Sequence, residues 1–113
     1  MPQKQIIYVS GPISSMPNGN IEEFRMATEI LRGLGHTVIN PHELTEGHDL
    51  HPERDYETIM RIDVCAMCES ATEVVTLHGW ENSPGANREV KIARLMNIPV
   101  SPILKYIPST PQH

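Results

Sequence analysis

Long apolar runs, clustered cations and paired cysteines are what this 113-residue sequence has least of. No apolar stretch approaches the roughly 20 residues that a membrane-spanning helix needs. The first residues also lack the cationic and apolar regions of a signal peptide. The expectation is therefore a cytoplasmic protein without a membrane partner. Lys and Arg number nine against 14 Asp and Glu, for a net charge of −5. Holding a phosphate backbone requires clustered cations, and these are scattered, which argues against a nucleic-acid polymer and for a small-molecule partner. The only two cysteines, Cys65 and Cys68, form a CxxC without a second pair. They fall mid-helix rather than at a helix start beside a strand, so they read as small apolar helix residues. His42, His48 and His51 lack the i, i+4 spacing of a helical metal site, and the reading calls for no metal and no cofactor. No GxGxxG follows the first apolar run, and Asn40 rather than an acid ends the second, which excludes a Rossmann-type NAD site.

What remains is an alternation of short β-branched runs and amphipathic stretches, with 39% hydrophobic residues, enough for one core. The expectation is a single domain over 1–113 with an irregular tail after about residue 106. Residues 5–10 read as a strand. Asn20 and Glu23 read as a capping box opening a helix to about Leu34, with Phe24, Ala27, Ile30, Leu31 and Leu34 as its inward stripe. HTVIN reads as a second strand closed by Pro41, and 41–54 as a polar lid-like loop. Asp55 then caps a helix to about Ser70, followed by a strand at 73–78, a helix at 84–96 and a last strand near 98–104. Three crossovers between four strands imply an α/β fold, a doubly wound, flavodoxin-like parallel sheet with helices on both faces and order 2-1-3-4. Its switch point lies between strands one and three.

Two loops meet at that point. The first strand opens directly into Gly11, Pro12 and Ile13, a turn at the carboxyl edge where α/β sheets bind ligands. The third opens into GWENSPGANRE, where Ser83 supplies a helix cap, Pro84 a preset first turn and Gly85 a bare backbone. Such a junction can hold an anion. Glu89 lies one turn further in, on the side of Gly85. Asp63 shares a helix face with Ile59, Met60 and Met67, and an acid on an inward stripe needs a partner or a task.

Taken together, YVSGPIS, Asp63 and GWENSPGANRE resemble the nucleoside 2-deoxyribosyltransferase-like superfamily, and most of all its small bacterial and phage members, from about Ile6 to Ile103. The resemblance implies that Glu89 attacks the anomeric carbon of a 2-deoxynucleoside or its 5′-monophosphate, giving a covalent deoxyribosyl-enzyme and expelling the base. It implies that Asp63 helps the base depart, that Tyr8 hydrogen-bonds Glu89, and that Ser83 and Gly85 match positions that bind a 5′-phosphate in the nucleotide-hydrolysing branch. Trp80 stacks on the base or covers the sheet end. Relatives close their sites with a neighbouring subunit, so a homodimer or larger oligomer is expected, with Ile62, Ala66, Leu95 and Met96 as its apolar surface.

The chain departs from that pattern at Ser14, where nucleotide-hydrolysing relatives carry a basic residue, and at Ala71-Thr72, where an Asp is common. Whether water or a second base accepts the sugar stays open. The alternative is a protein that binds or sequesters a nucleotide without cleaving it.

Overall fold

The computed structural model describes residues 3–14 and 16–107. Four strands form one all-parallel sheet: β1 (Ile6–Ser10), β2 (Thr37–Ile39), β3 (Glu73–Thr76) and β4 (Val100–Pro102), in the order β2-β1-β3-β4. The helices are α1 (Ile21–Gly33), α2 (Pro41–Leu44), α3 (Tyr56–Ser70) and α4 (Pro84–Leu95). The α/β class, the parallel pairing and the strand order are those the crossovers dictate.

Period-two alternation in β1 divides the core. Ile7 and Val9 turn to one face, where they pack with Val38, Val75 and the α1 stripe Phe24, Ala27 and Leu31. Tyr8 turns to the other, packing with Val74, with Met67 of α3 and with Ala93 of α4. Ser10, two residues beyond Tyr8, is fully buried. At the end of β1 the chain passes so close to Leu77 that a β-carbon on Gly11 would stand 2.9 Å from the Leu77 β-carbon.

Several local expectations are corrected. Asn20 does precede α1, but its backbone is left-handed (φ 61°) and its side chain makes no capping bond, so the box with Glu23 does not form. An N-cap side chain reaches the first helical amides from extended backbone. Leu34 is 55% exposed because the helix ends at Gly33, and Thr28 joins the buried stripe instead. The carboxylate of Asp55 accepts from the His51 amide rather than capping α3. The 41–54 segment is not wholly a loop: Asn40 accepts from the His42 amide and Pro41 occupies the first turn, which starts α2. β4 is shorter than expected and runs into a 3₁₀ turn, Ile103–Lys105. The expected tail lies largely outside the described residues. Among those residues no helix is long and apolar enough to cross a membrane.

Candidate active site

Glu89 is held by the carboxyl end of β1. Its Oε2 accepts from Tyr8 Oη at 2.7 Å and its Oε1 from Ser10 Oγ at 2.7 Å, both buried. The alternation that sends Tyr8 to the α4 face sends Ser10 there too, so one strand supplies a donor for each oxygen. Ser10 was missed in the sequence, although its i, i+2 relation to Tyr8 was the signal that could have found it. Asp63, on α3, is 3% exposed, and its Oδ1 has no hydrogen-bond partner. Among the described residues, no Lys, Arg or His forms an ion pair with either carboxylate.

Burial without a cation pushes both acids up. Desolvation raises Glu89 to about 7, and the Ser10 and Tyr8 hydroxyls pull the other way. Desolvation and then the charge of Glu89 raise Asp63 to about 8. The two acids titrate as a coupled pair, and charge on Glu89 helps Asp63 keep its proton. Burial, Glu89 and Asp63 in turn hold the Tyr8 hydroxyl well above its ordinary value, so it stays a donor.

The two acids border a cleft of about 710 Å³. Gly11, Ile13, Ser83 and Gly85 line it with them, as do Asn20, His42, Tyr56 and Met60. Pro12 and Trp80 are not among its lining residues. Pro12 is buried beside Gly79, where the two loops meet, and the Trp80 carbonyl accepts from the Ser83 amide in a 3₁₀ turn. Tyr8 lies beneath the cleft and acts on it only through Glu89. Two of the three histidines have separate partners: His42 contacts Gly19 and Phe24, and His51 Nδ1 accepts from the amides of Glu53 and Arg54. No group of three metal-binding side chains occurs among the described residues.

The start of α4 is a poorer anion cradle than its sequence suggests. Pro84 has no N–H, the Ala86 amide donates to Ser83 Oγ at 3.2 Å, and the Asn87 amide donates to the Ser83 carbonyl at 2.9 Å. Of the four amides that a helix start usually leaves open, Gly85 supplies the one without a protein acceptor. The charged side chains on the cleft wall are Glu22, Asp63 and Glu89, with the titratable His42 beside them.

Fold and site together define an α/β protein with a buried acid pair at the switch point of a parallel sheet. The family model described as "Domain of unknown function (DUF4406)" matches residues 5–101, and the chain belongs to that family. No curated protein matches it. One similar solved structure is a 2-deoxyribosyltransferase from the psychrotolerant bacterium Bacillus psychrosaccharolyticus, described as a biocatalyst for nucleoside synthesis. It shares 18% identity at a TM-score of 0.65, over 86% of this chain and 70% of that one. At that identity the likeness is one of fold.

Proposed function

We propose that this protein cleaves the N-glycosidic bond of a 2-deoxynucleoside, with Glu89 as nucleophile. The observation that carries the reading is Glu89 itself, buried at the strand ends, bound by two hydroxyls and, among the described residues, by no cation, on a cleft that it shares with a second acid, Asp63. Two raised acids without a counter-charge weaken the fold, and such pairs concentrate where they act on a ligand. The fold shared with a deoxyribosyltransferase supports the same reading.

In the reactive state Glu89 is the ionised member of the pair and Asp63 the protonated one, since charge on Glu89 favours the proton on Asp63. A carboxylate oxygen of Glu89 attacks C1′ as the C1′–N bond breaks, and the bonding pair leaves with the base nitrogen. Asp63 supplies the proton that the departing base takes up. Water or a second base then attacks C1′, restoring the Glu89 carboxylate and, with its own proton, Asp63. Tyr8 and Ser10 fix the direction of attack.

The cleft favours an uncharged nucleoside over its 5′-monophosphate. A phosphate in it would face the carboxylates of Glu22 and Glu89 with no Lys or Arg on the described wall, and like charges repel. The Gly85 amide and the Ser83 hydroxyl suit a 5′-hydroxyl. We also propose that the protein forms a homodimer or larger oligomer, a reading supported by Leu95 and Met96, which are 77% and 56% exposed. Ile62 and Ala66 are half-buried and contribute less. Light scattering at micromolar concentration checks this, and a monomer would count against it.

The chemical test is trapping with a 2-fluoro-2-deoxy-arabinosyl nucleoside. Fluorine destabilises the oxocarbenium-like transition state for release, so the sugar should accumulate on the peptide containing Glu89 and be seen by mass spectrometry. Tight binding of deoxynucleosides with neither adduct nor free base would point instead to the sequestering protein.

A further inference from the structure

Among the described residues, the Asn20 side chain has no task in holding the fold together. It stands where a capping residue belongs, yet its carboxamide makes no capping bond, and among the described residues it has no hydrogen-bond partner. It is nevertheless only 8% exposed and lines the cleft. Its polar atoms are not shut away as Asp63 Oδ1 is, so they meet the cleft and are free to pair with a ligand there.

The backbone that presents it is held at a cost of its own. Asn18, Gly19 and Asn20 are left-handed in succession, with φ of 52°, 63° and 61°. Consecutive left-handed residues are strained in L-amino-acid chains and persist where surrounding structure imposes them. His42 imposes this one. Its Nε2 lies 2.8 Å from the Gly19 carbonyl, and its ring meets Phe24 edge-on at 5.0 Å. A β-carbon on residue 19 would be 3.2 Å from the His42 ring. The turn is thus clamped from α2, across the mouth of the cleft, and Asn20 is fixed at its end.

Position selects the part of the ligand that Asn20 meets. α1 packs on one face of the sheet and α4 on the other, so Asn20 and Glu89 approach the cleft from opposite sides. Displacement at C1′ sends the leaving group away from the attacking oxygen. A sugar attacked by Glu89 therefore directs its base toward α1.

We propose that Asn20 is a specificity residue that reads the heterocyclic base. Its carbonyl and amino groups pair with a base edge on which an N–H stands beside an acceptor, as asparagine pairs bidentately with bases elsewhere. The assignment rests on the glycosyl-transfer reading above.

The test is base release from deoxyadenosine, deoxyguanosine, deoxycytidine and thymidine, read as kcat and KM. Asn20→Gly deletes the carboxamide while suiting the left-handed backbone. Asn20→Asp keeps the side-chain shape and tolerates that backbone but replaces the amino donor with oxygen. Asn20→Gly should raise KM for the preferred nucleoside about tenfold or more, hold kcat within about threefold and shrink the preference among the four bases toward unity. Asn20→Asp should alter the rank order of the bases, turning against those that accept from the amino group. An equal loss for all four nucleosides would mean a sugar contact and overturn base reading, and so would unchanged constants. If the unaltered protein neither binds nor cleaves any of the four, the glycosyl-transfer reading itself fails and this assignment falls with it. Measurement of the unaltered protein first separates the two failures.

Discussion

Glu73 and Glu89 are both glutamates with almost no exposure, and they occupy opposite ends of one parallel sheet. At the amino end of β3, Glu73 accepts from Lys105 Nζ at 2.8 Å and from the Tyr106 hydroxyl. Desolvation pushes it up, but those hydrogen bonds outweigh the burial and leave it below the ordinary glutamate value. At the carboxyl end, Glu89 has two hydroxyl donors and, among the described residues, no cation, and burial wins. Burial alone does not mark a functional acid. What separates the two is whether the fold supplies the counter-charge that makes ionisation comfortable, and at the carboxyl end it does not.

Removing each glutamate gives the largest contrast. Glu89→Ala should abolish base release from deoxynucleosides, by roughly 10⁴-fold or more for a missing nucleophile. Glu73→Gln should keep release within about threefold. Chromatography of the free base checks both, and full activity in Glu89→Ala would break the comparison and the glycosyl-transfer reading together.

Next is the pH dependence of turnover. Both acids are raised, so release should rise as the pair loses its first proton, above the ordinary carboxylate range, and fall as it loses the second, giving a bell. Asp63→Asn should slow release about a hundredfold and erase the alkaline limb, as a pH series of kcat/KM would show.

Thermal unfolding sharpens the contrast further, with opposite signs at the two ends. Asp63 binds its proton more tightly when folded, so between its ordinary 3.8 and about 8 the folded state holds more protons and stability falls as pH rises. Asp63→Asn should remove that loss, raising Tm at pH 8.5 and changing it far less at pH 4. Glu73 is lowered, so its contribution is present above the ordinary glutamate range and disappears as pH falls below it. Glu73→Gln should therefore lower Tm at pH 7 and lose that effect in acid, with a cost of about 1–2 kcal/mol for the charge-assisted bonds.

The smallest effect is at Ser10. Its hydroxyl holds Glu89 below where burial would leave it. Ser10→Ala should move the acid limb up by about one pH unit and slow release about tenfold at neutral pH. Ser10→Thr should restore the limb if its hydroxyl reaches Glu89. An unmoved limb in Ser10→Ala would show that the hydrogen bond does not tune the acid.

Much of the fold was legible because its causes are local or topological. Strand and helix order follows from side-chain periodicity, and the sheet order follows from the handedness of crossovers. The carboxyl-edge location of Gly11, Ser83 and Gly85 followed from that topology. Tyr8 was singled out through resemblance, Asp63 through its apolar helix face together with resemblance, and Glu89 through its spacing from Gly85 together with resemblance.

Only the tertiary structure decided what those residues feel. Tyr8 and Glu89 stand 81 positions apart and Ser10 and Glu89 79, yet each pair meets at 2.7 Å. No local pattern encodes such a meeting, or the absence of a cation beside it. Asn20 shows the same divide: its sequence neighbours point to a cap, and the clamp from His42, 22 positions on, holds a left-handed turn instead. Propensity acts over a few residues, whereas burial, desolvation and hydrogen-bond partnership are properties of packed neighbours from anywhere in the chain. The sequence therefore determined which acids lie near the sheet edge, and packing decided which of them is left without a counter-charge.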